Sequence, residues 1–394
     1  MKRPLAPLLL LLALTSTAHT REVRFKKITL TNHFHAEGIH YGDFNRDGHL
    51  DIVAGPYWYA GPGFTQRHLI HPEQNHDPEQ YSDNFITHAL DLNNDGWDDV
   101  LICPQPGTQA YWYENPRNTT EPWKKHPGPN DVGNESQQLA PIQKNAPPSL
   151  IYNTDGHLGY ATWTARTNQQ TLWTFHPISP KSRRFERYTH GLGHGDINGD
   201  GRTDLVERDG WWEQPRNPAE TPWKMHRYPF AIAGAQMLVL DINGDGLPDV
   251  VTAWHCHTYG LVWHQQHRHP TGAITWTRHE ILPIKPDLQS PALRISQMHA
   301  LATADINGDG LPDLITGKRY WAHGPKGDRE PDAPPVLYWF ELHRDAKGNA
   351  TFTPRKIDDN SGVGTQITPV DINKDGKTDI LVANKKGVFL FLQE

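Results

Sequence analysis

The chain has 394 residues, a net charge of -7, a pI near 6.4 and a mean hydropathy of -0.70. That balance leaves no basic surface to neutralise phosphates, so no nucleic acid partner is expected, and past the N-terminus no stretch approaches the roughly 20 apolar residues of a membrane span. Gly 33, Pro 33 and Trp 14 suit many short strands joined by turns, and 24 histidines invite a search for a site.

Residues 1–20 run from Lys2 and Arg3 through an apolar stretch to small residues around Ser16 and Ala18, the pattern of a signal peptide. The mature chain, 21–394, is therefore expected to be a single domain that is secreted or periplasmic. Its two cysteines, Cys103 and Cys256, lie far apart, so disulfides are not expected to hold the fold.

Internal repetition organises the rest. A nine-residue acidic loop recurs six times, with Asp, Asn, Asp and Asp at its first, third, fifth and ninth positions. In chain order these are Asp43, Asn45, Asp47 and Asp51, then Asp91, Asn93, Asp95 and Asp99, then Asp196, Asn198, Asp200 and Asp204. There follow Asp241, Asn243, Asp245 and Asp249, then Asp305, Asn307, Asp309 and Asp313, and last Asp371, Asn373, Asp375 and Asp379. The gap between the second and third copies is long, and NTDGHLGY from Asn153 reads as a seventh copy without acids. An aromatic strand begins at Tyr57, Tyr111, Leu172, Trp211, Leu261, Leu337 and Val388, and an aromatic, basic, aliphatic pattern recurs at Phe25, Phe64, Trp123, Phe185, Trp223, Trp276 and Phe352. The stretch 128–148 is polar and Pro-rich and carries no repeat feature.

Three repeats of seven predict an all-β fold, a seven-bladed β-propeller of four-stranded antiparallel blades. The first outer-strand pattern precedes every acidic loop and the chain ends after an aromatic strand, so residues 23–31 are expected to complete the last blade and close the ring. Oxygen ligands at alternate positions, with a glycine at the sixth for a sharp turn, suit calcium, Ca2+. Asp and Asn also build turns without metal, but several carboxylates in one turn repel unless a cation neutralises them.

The six loops, with GDFNRDGHLDIVAG and GDINGDGRTDLV as examples, resemble the FG-GAP/VCBS repeats of secreted bacterial propellers and of the integrin head. Such propellers serve as adhesion modules, polysaccharide lyases and sugar dehydratases, so the resemblance implies fold more than function. More narrowly, SQMHALATADINGDGLPDLITGKRYWAH, LYWFEL and SGVGTQ resemble bacterial VCBS proteins related to the propeller domain of aldos-2-ulose dehydratase, which dehydrates 1,5-anhydrofructose.

Strand phase locates a site independently of that resemblance. If the acidic loops occupy one face of the disk, the connections between second and third strands, and between blades, occupy the other. That face holds His255 and His257 at alternate positions, a metal pair for Zn2+ or another divalent ion, and the long connection from Lys318 with Arg319, Tyr320 and His323. His35, His40, His88, His194 and His299 precede acidic loops and are expected near the axis. His68, His126, His226 and His279 recur on outer strands and are expected at the surface, while Trp58, Trp112, Trp212 and Trp339 are expected between blades. A lyase performing β-elimination on a keto-sugar or uronate would take its base from His299 or His88 and its proton donors and enolate stabiliser from His255, His257, Arg319, Tyr320 and His323. The competing expectation is a non-catalytic carbohydrate- or protein-binding module, and convergence of His255, His257, His299 and Arg319 discriminates the two.

Overall fold

The computed structural model describes residues 22–119, 121–165 and 171–394; the expected signal peptide lies outside them. The described chain is all-β, with five four-stranded sheets and one eight-stranded sheet, the latter two meanders joined by parallel pairing of Leu192 and Gly193 with Gln236 and Met237. Each meander takes its strands consecutively: β2 (His40–Gly42) to β5 (Arg67–Leu69), β6 (Ile86–Leu90) to β9 (Lys124–Pro127), and β10 (Gln138–Ala140) to β13 (Thr171–Pro177). The pattern continues with β14 (Leu192–Gly195) to β17 (Lys224–Arg227), β18 (Gln236–Leu240) to β21 (Ile274–Leu282), and β22 (Leu301–Ala304) to β25 (Ala350–Asp358). The exception is the last sheet, where β26 (Ile367–Val370), β27 (Asp379–Asn384) and β28 (Gly387–Gln393) are joined by β1 (Phe25–Thr31) from the other end of the chain. Its register runs antiparallel from Phe25 opposite Gln393 to Thr31 opposite Val388.

Apolar side chains from both faces of the sheets fill the space between neighbours. Ile39, Ile52 and Tyr59 of the first sheet share one cluster with Leu381, Val388 and Leu390 of the last, all buried. Trp58, Trp112, Trp212 and Trp339 are buried as expected. Of the outer-strand histidines, His68 is exposed as expected, His226 and His279 are partly buried and His126 is buried, and all four pair with a ring across the strand. His68, His126, His226 and His279 lie directly opposite Trp58, Trp112, Trp211 and Trp263, stacked at centroid distances of 4.1, 4.3, 4.0 and 4.3 Å. Such cross-strand ring pairs contribute about 0.5–1.5 kcal/mol each beyond area burial. His126 is buried outright and also meets Glu114 Oε2 at 2.7 Å, as His226 meets Glu213.

One sheet departs from the sequence reading by a full strand. Leu172 lies on the outer strand β13, and the third strand of that sheet is β12 (His157–Ala165). The segment NTDG is the hairpin turn between β11 (Ser149–Thr154) and β12, with positive φ at both Asp155 (47°) and Gly156 (76°), so its Asp-Gly served a two-residue turn rather than an acidic loop. The loop corresponding to the acidic ones is residues 141–148, and the inner strand β10 sits inside the polar 128–148 stretch. Phe185 is correspondingly not on an outer strand; it closes a short 3-10 turn, Arg183–Phe185, and is buried.

β1 covers the apolar edge of β28, whose sequence GVFLFLQ would otherwise present an unpaired, aggregation-prone strand. Deleting residues 22–31 is expected to abolish cooperative thermal unfolding and produce soluble aggregates, read by circular dichroism melting and size-exclusion chromatography.

Candidate functional site

In all six acidic loops the fifth amide donates to the Asn Oδ1 and the sixth to the first Asp Oδ2. In the first, Asp43 Oδ1 and Asn45 Oδ1 both accept from the Asp47 amide, at 3.1 and 3.0 Å, and Asp43 Oδ2 accepts from Gly48, whose φ is 87°. Asn45 Nδ2 donates to Asp47 Oδ2 at 2.9 Å, so positions one, three and five bring their oxygens into one turn. The ninth carboxylate turns inward. Asp51 is fully buried, its Oδ2 accepting from Phe44 N and its Oδ1 from Gly61 N, each at 2.9 Å. Asp99, Asp204, Asp249, Asp313 and Asp379 repeat this, each holding the second residue of its loop and one residue at the far end of the third strand or just past it.

At the opposite pole, the connections predicted by strand phase do meet. His190 precedes β14, His255 to His257 follow β19 (Asp249–Ala253), His299 precedes β22, and Arg319 to His323 follow β23 (Asp313–Gly317). His190 Nε2 lies 3.1 Å from His257 Nε2, and the Cys256 thiol lies with them, all three ligand atoms within 4.8 Å of one another. The His257 ring packs against those of His299, His323 and His255 at 4.8, 4.7 and 5.7 Å. His257 Nδ1 and His299 Nε2 are buried without hydrogen-bond partners among the described residues. His323 is half-exposed and its Nδ1 faces Asp328 Oδ1 at 3.5 Å, while that carboxylate also accepts from the amides of Ala322 and His323. Burial, with neighbouring positive and histidine groups, pushes His190 and His257 down to about 3 and His299 well below its usual range. His190, His257 and His299 are therefore neutral imidazoles at neutral pH.

Arg319 reaches this pole but is not free to meet a substrate. Its Nε and Nη2 donate to both oxygens of Glu37 at 2.7 and 2.9 Å, and its Nη1 donates to Glu135 Oε2 at 3.4 Å. Arg319, Glu37 and Glu135 are 2%, 0% and 6% exposed. Glu135 Oε2 also lies 3.8 Å from His190 Nδ1, so the buried ion triad backs onto the histidines. Tyr320 stacks on Trp321 at 4.5 Å with Lys386 5.0 Å above its ring. His88 belongs elsewhere: with His40, 5.9 Å away ring to ring, it lines a separate cavity of about 400 Å3 together with Gln137, Gln236 and Gln366.

Sequence reasoning missed His190, Glu37, Glu135 and the ligating potential of Cys256. His190, Glu37 and Glu135 stand in connections between meanders, where the same phase rule that found His257 places them.

Residues 241–316, from the fourth acidic loop into β23, match the FG-GAP-like repeat. Among solved structures the chain is similar to the Photorhabdus luminescens Tc holotoxin pore, at 17% identity and a TM-score of 0.40 over 80% of this chain and 14% of that one. It is also similar to BBS1N in complex with ARL6DN, at 13% identity and a TM-score of 0.45 over 93% of this chain and 95% of that one. No curated protein sequence matches the chain.

Two outcomes follow from this geometry. Glu37→Gln keeps the shape but leaves the buried guanidinium short of a charge partner, and is expected to cost about 3–5 kcal/mol in urea unfolding. Burial, and then His40, holds His88 at about 3 against an ordinary value of 6.5. The unfolded chain therefore takes up its proton first, and stability present above about pH 6.5 is lost as pH falls toward 3. A His88→Gln variant is expected to show a shallower fall in melting temperature between about pH 6.5 and 4.

Proposed function

We propose that the chain is a secreted or periplasmic seven-bladed propeller, closed by β1, whose histidine pole is a divalent-metal carbon–oxygen lyase acting on a keto-sugar or uronate. The observation that carries this reading is the approach of His190 Nε2 and His257 Nε2 to 3.1 Å beside the Cys256 thiol. Two nitrogens on a tetrahedral zinc with bonds of 2.0–2.1 Å stand about 3.3 Å apart, and nitrogen with thiolate is a donor set zinc accepts. A cation held there would polarise a substrate carbonyl.

The chain's own groups supply the rest. His323, half-exposed and oriented by Asp328, takes the proton from the carbon next to the carbonyl. The carbon–hydrogen pair moves into a new carbon–carbon double bond, the β carbon–oxygen bond breaks, and His323, carrying the proton it took, returns that proton so that the oxygen leaves as water or an alcohol. His299, buried behind His257, fixes that ring, and the Arg319 triad holds the connections that carry the cluster. In the acidic loops, calcium takes its side-chain ligands at positions one, three and five, while the ninth carboxylate holds the loop to its sheet.

A recognition module without turnover is the second reading, favoured by the locked state of Arg319, which removes the expected enolate partner. One experiment separates the two: metal analysis of the purified protein with an ultraviolet assay for enone formation from 1,5-anhydrofructose and 3-keto-glycosides. Calcium in the acidic loops, plus a transition metal and an enone signal that both vanish in the His190→Ala, His257→Ala variant, is the expected result. Calcium with no enone from any keto-sugar would overturn the lyase.

A further inference from the structure

A second cluster lies in the segment between β1 and β2. His33 and His35 stand two residues apart in a stretch that runs beside the loop following β5. Phe34 N donates to Asn75 Oδ1 at 2.9 Å and Phe34 O accepts from His76 N at 2.8 Å, which fixes the segment on that loop. With Phe34 so held, the rings of His33 and His35 come together 5.5 Å apart, beside Glu73. Gly55 makes the close approach possible: it sits at φ 60° in the β3–β4 turn, where a Cβ would lie 2.6 Å from that of His35.

The protonation of His35 follows from its partners. Its Nδ1 meets the Gln74 carbonyl at 2.8 Å, and a carbonyl only accepts, so Nδ1 carries the hydrogen. In the neutral ring Nε2 is then a bare lone pair. The side chain is fully buried, Nε2 has no hydrogen-bond partner among the described residues, and Glu73 Oε1 lies 3.4 Å from it. A lone pair on a fully buried ring beside a carboxylate oxygen is offset by a positive centre between them. His33 Nδ1 stands 3.5 Å from the same oxygen, and the three ligand atoms all fall within 4.8 Å. The other oxygen of Glu73 accepts from the Tyr57 hydroxyl at 2.5 Å, so both His35 and Glu73 carry the outer hydrogen bonds that orient metal ligands.

We propose that His33, His35 and Glu73 form a zinc site, separate from the histidine pole, that clamps the segment after β1 to the first sheet. Two histidines and a carboxylate are a zinc donor set, and exposure of His33 and Glu73, 58% and 39%, leaves the fourth position to water. Because β1 completes the last sheet, a cation here ties that closing strand to the sheet that begins the chain's meanders. The site does not rest on the lyase reading.

The test uses the full mature chain carrying His190→Ala and His257→Ala, which silences the pole. Titration with Zn2+ by calorimetry, and with Co2+ by visible absorption, is expected to give one equivalent with a tetrahedral cobalt spectrum and a raised melting temperature. Adding His33→Ala, His35→Ala or Glu73→Gln is expected to abolish that equivalent; His33 and Glu73 are exposed enough that their variants should fold even if His35→Ala does not. Tyr57→Phe should retain the stoichiometry and weaken affinity roughly tenfold. No equivalent in the pole-silenced chain, or one that persists in His33→Ala and Glu73→Gln, overturns the clamp, and a proton shared by His35 and Glu73 is then what joins them.

Discussion

The constraint on which the molecule depends is a buried carboxylate with both oxygens committed to backbone amides. In six meanders the ninth residue of the acidic loop takes this part, fully buried, one oxygen on the second residue of its loop and the other on a residue at the end of the third strand or just beyond it. Charge-assisted hydrogen bonds of 2.7–3.1 Å offset the cost of removing a carboxylate from water. The offset is incomplete. Burial, with the other carboxylates of the same loop adding to it, pushes Asp99 up to about 8 and Asp204, Asp249 and Asp313 up to about 7.

The same clamp sets the distance between neighbouring sheets. Where the residue whose amide meets the buried carboxylate is Asn or Gln, it sends its own side chain back to the preceding sheet. Asn115 reaches the Phe44 carbonyl, Gln266 that of Ile197 and Gln393 that of Ile306, at 2.9, 3.0 and 2.7 Å. Arg344, two residues beyond Leu342, does the equivalent with the Ile242 carbonyl at 2.6 Å. Since the second residue of each loop is itself held by its own ninth carboxylate, loop, third strand and next sheet form one chain of hydrogen bonds. That is how loops on one face fix the spacing of connections on the other, where His190, His257 and His299 come together from three separate meanders.

Much of this was legible. The period of the acidic loops and aromatic strands disclosed the four-stranded meander, whose strands are close in sequence, and the borrowed strand β1, because an outer-strand pattern precedes the first loop while none follows the last aromatic strand. The misreading at Asn153 shows the limit of such tracers: Asp-Gly suits a hairpin turn as well as an ion loop, and only pairing of β11 with β12 decides between them. The double duty of the ninth aspartate was not legible, since its second donor is set by a strand ten or more residues away. The face of the site followed from strand phase, but Arg319 looked like a free cation because Glu37 and Glu135, far from it in sequence, are brought to it only by the fold.

That triad also bears on what the histidines can do. Burial is the first cause of the low values of His190 and His299, and the nearby Arg319 is the next. Glu37 and Glu135 hold Arg319 charged although burial works against it. The guanidinium in turn disfavours a second positive charge on the imidazoles, which therefore keep their lone pairs. A pole built only of histidines and solvent would protonate near pH 6.5 and lose its capacity to accept a proton or a cation. The buried ion triad thus does more than lock the connections in place: its guanidinium adds to burial in keeping His190 and His299 neutral, while at His257 burial comes first and the neighbouring His190 next.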